Sequence, residues 1–261
     1  MGKAVKVLKI KSQYVKPLID YLQPKTKIPY ETRTLSKDKY DFKLIEKQIT
    51  EEHDGKVKLP LYLHILIAQK QNLGYKFILR VEEPYYLEEP ESEKLLVLKP
   101  PFKAELFLYL TDDFDGYLAI DTPKNKLNRL VNAIGQILGA SEWFVEITFD
   151  LTNNEETLRT IFGNFVLFYT TGIPHELVKQ AQIRGSHLEE SPEYKRYVKD
   201  LHGLITAIMI EYPIANGKTI KLMISASGRL SSPNKEFKTD ERYKIVHDVL
   251  VQLKEHNVIE T

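Results

Sequence analysis

The chain has 261 residues, 43% of them hydrophobic, and its 37 Lys and Arg face 36 Asp and Glu for a formal net charge of +1. That length can bury one large core or two modest ones, while the near-balanced charge provides no chain-wide attraction for a polyanion, so any electrostatic partner must be sought in local charge. The absence of cysteine excludes disulfides, thiolate catalysis and cysteine-ligated metal or iron-sulfur sites.

From the start, Lys3 to Lys11 is rich in β-branched residues and reads as a strand. The lysines there interrupt every apolar run, so no secretory signal is expected and the cytoplasm is the expected compartment. A short helix follows from about Lys16 to Leu22, with Pro17 in its first turn, and Pro24 and Pro29 then break the chain. Phe42, Ile45 and Ile49 at helical spacing predict a helix from about Tyr40 to His53. Leu61 to Ala68 and Tyr75 to Val81 predict a hairpin around Asn72-Leu73-Gly74, and the longest apolar run, Leu61 to Ala68, is far too short to span a membrane.

Between Glu82 and Pro101 four prolines punctuate an acidic run, which marks the best boundary between a basic region, 1–92, and a second domain, 93–261. A single domain with an acidic surface loop is the alternative, since Leu95 to Leu98 reads as a strand.

Two strand-turn-strand-helix units come next, at 103–139 and 203–256. In the first, Asp112, Asp113, Asp115 and Gly116 form the turn, Thr122 is placed to cap the helix, Pro123 fits its first position and Gly139 its end. In the second, Asn216-Gly217 is a strong hairpin signal, and Ile245, Val246, Val249, Leu250 and Leu253 give the last helix an apolar face. Between the units the pattern predicts strands at Trp143 to Leu151 and Asn164 to Thr170, a helix near Glu155 to Ile161, a helix from Ile173 to Gln182, and another helix started by Ser191-Pro192-Glu193. The expected class is therefore α+β, with mixed, mostly antiparallel sheets and helices packed on one face. The hairpin-helix layout is similar to the half-repeats of the TATA-binding-protein-like fold; the similarity is one of architecture, and no residue is carried over on it.

Catalytic motifs fail at decisive positions. His175-Glu176 begins like a zinc-protease helix, but Lys179 stands where the second histidine is required. Thr111 and Thr122 replace the first and twelfth ligands of a calcium loop around Asp113 and Asp115. No metal and no cofactor are therefore expected. Arg184, Ser186, His187, Glu189 and Glu190 gather acid-base groups in a polar loop without a paired nucleophile.

Two signals point to binding. Ser225, Ser227 and Arg229 offer hydroxyls and a guanidinium to an anion such as phosphate. The first fifty residues carry twelve Lys and Arg against five Asp and Glu. There Lys9, Lys11, Lys16, Lys25, Lys27, Arg33, Lys37 and Lys39 interleave with Tyr14, Tyr21, Tyr30 and Tyr40, a pattern in which cations neutralise phosphates and rings stack on bases. Arg129 on the first unit's helix extends that set. The expected function is non-catalytic binding of DNA or RNA by this segment and a sheet surface. The alternatives are a protein-assembly or adaptor role, in which a strand edge joins a partner or a second copy, and an enzyme acting on a phosphorylated or nucleotide substrate.

Overall fold

The computed structural model describes residues 3–22, 49–53, 57–82, 85–88, 95–98, 101–174, 179–185, 188–214, 217–234, 237 and 241–260. The chain divides into two compact units, a terminal unit of residues 1–9 and 146–261 that holds both chain ends, and a central unit of residues 10–145. The run from Glu82 to Pro101 lies inside the central unit.

The chain opens with strand β1 (Lys3–Ile10) and helix α1 (Ser12–Leu22). This helix starts a turn earlier than the sequence suggests, so Pro17 lies inside it. The central unit continues through β2 (Ile49–His53), β3 (Val57–Gln71), β4 (Gly74–Glu82), β5 (Tyr85–Glu88), β6 (Leu95–Leu98), β7 (Pro101–Tyr109), β8 (Tyr117–Asp121) and α2 (Leu127–Leu138). Its antiparallel sheet has the order β8-β7-β4-β3-β2, with β5 and β6 as a separate hairpin. Residues 49–53, expected as the end of a helix, instead pair with β3, because Ile49 and its neighbours have a strand partner at hand and pairing satisfies their backbone. The rest of that expected helix lies outside the described residues. Thr122 does not cap α2: the chain first makes a tight 3-10 turn at Lys124–Lys126, and the buried Thr122 hydroxyl has no hydrogen-bond partner. The core of this unit includes the fully buried Trp143, whose indole Nε1 donates to the Val131 carbonyl of α2 at 3.1 Å.

Strand β9 (Phe144–Glu146) lies at the end of the central unit's segment, with only Glu146 in the terminal unit, which contains β10 (Thr148–Phe149), α3 (Glu155–Phe162), β11 (Leu167–Thr171), β12 (Gln180–Arg184), α4 (Pro192–Tyr194), β13 (Leu204–Pro213), β14 (Thr219–Ser225), β15 (Arg229–Ser232), α5 (Glu241–Glu255) and β16 (Ile259–Glu260). Its sheet has the order β12-β11-β13-β14-β15-β1, antiparallel throughout, while β10 and β16 form a separate pair. The expected helix from Ile173 to Gln182 is corrected here, since Gln180 to Arg184 is β12, paired along its length with β11. Only Ile183 of this strand is buried, which is the alternation of a one-sided strand. The expected strand at 143–151 likewise proves to be two short ones, β9 and β10.

Both hairpin-helix units form, one in each compact unit, but the second has an extra strand, β15, between its hairpin and its helix. Gly217 closes the β13-β14 turn at φ +69°. Helix α5 buries Tyr243, Ile245, Val246, Val249, Leu250 and Leu253, the apolar layer that the inward face of the sheet requires: Ile208, Ile210, Ile220, Leu222, Ile224 and Leu230 are all buried.

Ser191 begins α4 as its sequence predicts, its hydroxyl accepting from the Tyr194 amide at 3.1 Å, and the helix widens into a π-helical stretch at Lys195–Asp200. An ionic cluster ties it to α3. Glu155, 3% exposed, pairs with Lys199 at 3.0 Å and with Arg159, whose Nη2 also donates to the Tyr194 hydroxyl at 3.3 Å.

Candidate functional site

The register of the terminal sheet aligns one residue per strand into a continuous cross-strand row. Gln182 pairs with Tyr169, Tyr169 with Ala207, Ala207 with Ser225, Ser225 with Arg229, and Arg229 with Lys6. Directly paired residues share a face, and in β14 that face is the open one: Thr219, Lys221, Met223 and Ser225 alternate with the buried Ile220, Leu222 and Ile224.

Residue size along the row gives the surface its shape. Ala207 and Ser225 are small and sit between the phenol of Tyr169 and the guanidinium of Arg229, so the row dips in the middle and rises at both sides. The result is a trough of about 560 Å³, within the range of ligand sites. Thr171, Gln180, Gln182, Thr206, Met223 and Ser231 are also among its lining residues, and although hydroxyl and amide groups recur there, the exposed lining is more apolar than polar.

A bulge helps to build the floor. Tyr169 faces Ala207, but the next residue, Thr170, faces Ile205, so Thr206 is the extra residue on β13. It is anchored on two sides: the Thr206 hydroxyl lies 3.4 Å from the Tyr169 carbonyl, and its own carbonyl accepts from the Ala226 amide at 2.9 Å and the Ser225 hydroxyl at 3.3 Å. Leu204, two residues earlier and opposite Thr171, is 57% exposed.

The corner beside Arg229 is a tight turn, Ala226 to Gly228, closed by a 3.0 Å bond from the Gly228 amide to the Ser225 carbonyl. The Ser225 and Ser227 hydroxyls lie 3.1 Å apart across it. Lys6, 7% exposed, donates to the Ser227 carbonyl and lies 3.3 Å from Glu146. Two cations therefore occupy adjacent strands at this end of the row.

Of the residues singled out from sequence, Ser225 and Arg229 line the trough, and Ser227 adjoins it through the hydroxyl pair. Lys9 is half-buried in the terminal unit. Lys11, Lys16 and Arg129 belong to the central unit, where Lys16 and Arg129 are exposed and Lys11 lies 3.4 Å from Glu142. Lys25, Lys27, Arg33, Lys37 and Lys39 lie outside the described residues, as do His175 and His187. Tyr169, Gln180, Gln182, Thr206, Met223, Ser231 and Lys6 are site residues that sequence reasoning missed. The signal that reaches some of them is the two-residue alternation in Thr219 to Ser225, combined with the register set by the Gly217 turn.

Among the described residues no group of three or more His, Asp or Glu is arranged to hold a metal ion, and no helix is long and apolar enough to cross a membrane. No protein-family model matches the sequence, and no curated protein matches it.

Proposed function

We propose that this protein binds single-stranded nucleic acid, without catalysis and in the cytoplasm, across the open face of its terminal sheet. The observation that carries the reading is the cross-strand row that places Tyr169 and Arg229 three strands apart in the lining of one trough, with the hydroxyl pair of Ser225 and Ser227 close to the arginine in the chain. Stacking needs a π-face and is tolerant of base identity, while a phosphate needs charge-assisted donors; single strands offer both at once, because their bases are unstacked. Duplexes hide their faces from a ring such as Tyr169. The amides of Gln180 and Gln182 add donors and acceptors suited to exposed base edges.

A second reading, an adaptor surface for an extended protein segment, draws support from Leu204, an exposed apolar side chain on the same face. Titration of labelled single- and double-stranded oligonucleotides at low and high salt separates the two. Nucleic-acid binding requires salt-sensitive affinity that favours single strands; absence of binding at low salt removes it and leaves the adaptor reading.

A further inference from the structure

Resting on that reading, we infer that the smallest ligand able to engage the whole trough is a dinucleotide, so the protein recognises oligonucleotides and not free nucleotides. Tyr169 and Arg229 are three strands apart in the row, with Ala207 and Ser225 between them. At about 4.8 Å per strand the two walls stand about 14 Å apart at the backbone. Side chains on a sheet stand roughly perpendicular to it and lean along the strands, so neither wall closes that gap by leaning across it.

A base and its own phosphate are closer together than this. A base stacked on Tyr169 and a phosphate held by Arg229 with the Ser225 and Ser227 hydroxyls therefore cannot be carried by the same sugar: the phosphate is the far one of the neighbouring nucleotide, as on a 5′-phosphorylated dinucleotide. The backbone joining them runs across the strands, over the low floor of Ala207 and Ser225. That floor must be low for the linking sugar to pass, which gives the small residues at the centre of the row a role. A mononucleotide reaches one wall at a time and gains the contacts of one.

Competition tests this with the full chain. A labelled single strand of about ten nucleotides, within the length one such surface covers, is bound and then displaced by adenosine monophosphate, by a 5′-phosphorylated dinucleotide or by a trinucleotide. The dinucleotide is expected to displace the label at a concentration at least about tenfold lower than the mononucleotide, the factor supplied by one added contact of ordinary strength. In Tyr169→Ala that advantage should collapse, because only the anion wall remains; circular dichroism spectra and melting curves that match the parent ensure that the fold is intact. Equal competition by mononucleotide and dinucleotide, with binding of the label still dependent on Tyr169 and Arg229, overturns the inference and leaves the nucleic-acid reading standing. Failure of the labelled strand to bind, or equal binding by the parent, Tyr169→Ala and Arg229→Ala, overturns the reading and the inference with it.

Discussion

Gly217 and Gly228 form a matched pair that tests how the corner of the trough is held. Both have left-handed backbone, at φ +69° and +70°, so an alanine at either position carries the same conformational cost, about 1–2 kcal/mol. Their surroundings differ. A Cβ on Gly217 meets nothing within 4 Å, whereas a Cβ on Gly228 falls 2.3 Å from the Ile147 carbonyl oxygen and 3.2 Å from its carbon. Backbone cannot rotate out of the way as a side-chain tip can, so the turn and Ile147 must separate by most of an ångström. That separation strains two bonds, from the Val7 amide to the Gly228 carbonyl at 2.9 Å and from the Phe149 amide to the Ala226 carbonyl at 2.8 Å, each worth about 1 kcal/mol. Gly217→Ala should therefore cost about 1–2 kcal/mol and Gly228→Ala about 3–4 kcal/mol. Urea unfolding followed by far-ultraviolet circular dichroism gives both, by linear extrapolation with comparable slopes. Equal losses in the two variants would refute the steric argument, and no loss in either would refute the left-handed conformations themselves.

Four other outcomes follow from the geometry. Tyr169→Ala should weaken single-strand binding by about 5- to 150-fold, the range for one base-aromatic stack, while Tyr169→Phe should bind nearly as the parent does; fluorescence anisotropy reads both. Arg229→Ala should reduce the slope of log affinity against log salt by about 0.7, the value for one phosphate contact on a single strand, and an unchanged slope would place that contact elsewhere. Glu155→Ala should destabilise the chain by about 2 kcal/mol, below the range for a wholly buried pair because the Lys199 and Arg159 side chains remain 52% and 25% exposed to water; denaturant unfolding measures the loss. Burial raises the pKa of Tyr117 and, with help from Asp248, that of Tyr212, so the folded state holds their protons longer than the unfolded chain does. Their stabilising contribution is complete below the unfolded value of 10.0 and declines above it, and a melting-temperature series at alkaline pH should fall less steeply for Tyr117→Phe than for the parent.

The elements legible from sequence were those with local punctuation. Ser191-Pro192 started a helix, Gly217 closed a hairpin, and the apolar face of Glu241 to Glu255 matched a buried stripe, because caps, turns and periodicity act over a few residues. Gln180 to Gln182 reads as the end of the helix expected from Ile173, because a short stretch with few apolar residues fits a helix about as well as a strand; only pairing with β11, a non-local fact, makes Gln180 to Arg184 a strand. Thr122 departs from expectation for the opposite reason, a good local cap displaced by a tighter entry into α2. The candidate site divides in the same way. Ser225, Ser227 and Arg229 lie close together in the chain and were found as a cluster. Tyr169 and Gln182 come from strands more than forty residues earlier and join the row only through register, which no pattern in their own neighbourhoods reports.

The central claim, that ligand lies across the open face of the terminal sheet, is tested most directly by titrating the isotope-labelled chain with a short single-stranded oligonucleotide and following backbone amide shifts. The largest changes should fall on Tyr169, Thr171, Gln182, Thr206, Ser225 and Arg229. Changes confined to the central unit, at Lys11, Lys16 or Arg129, would contradict it.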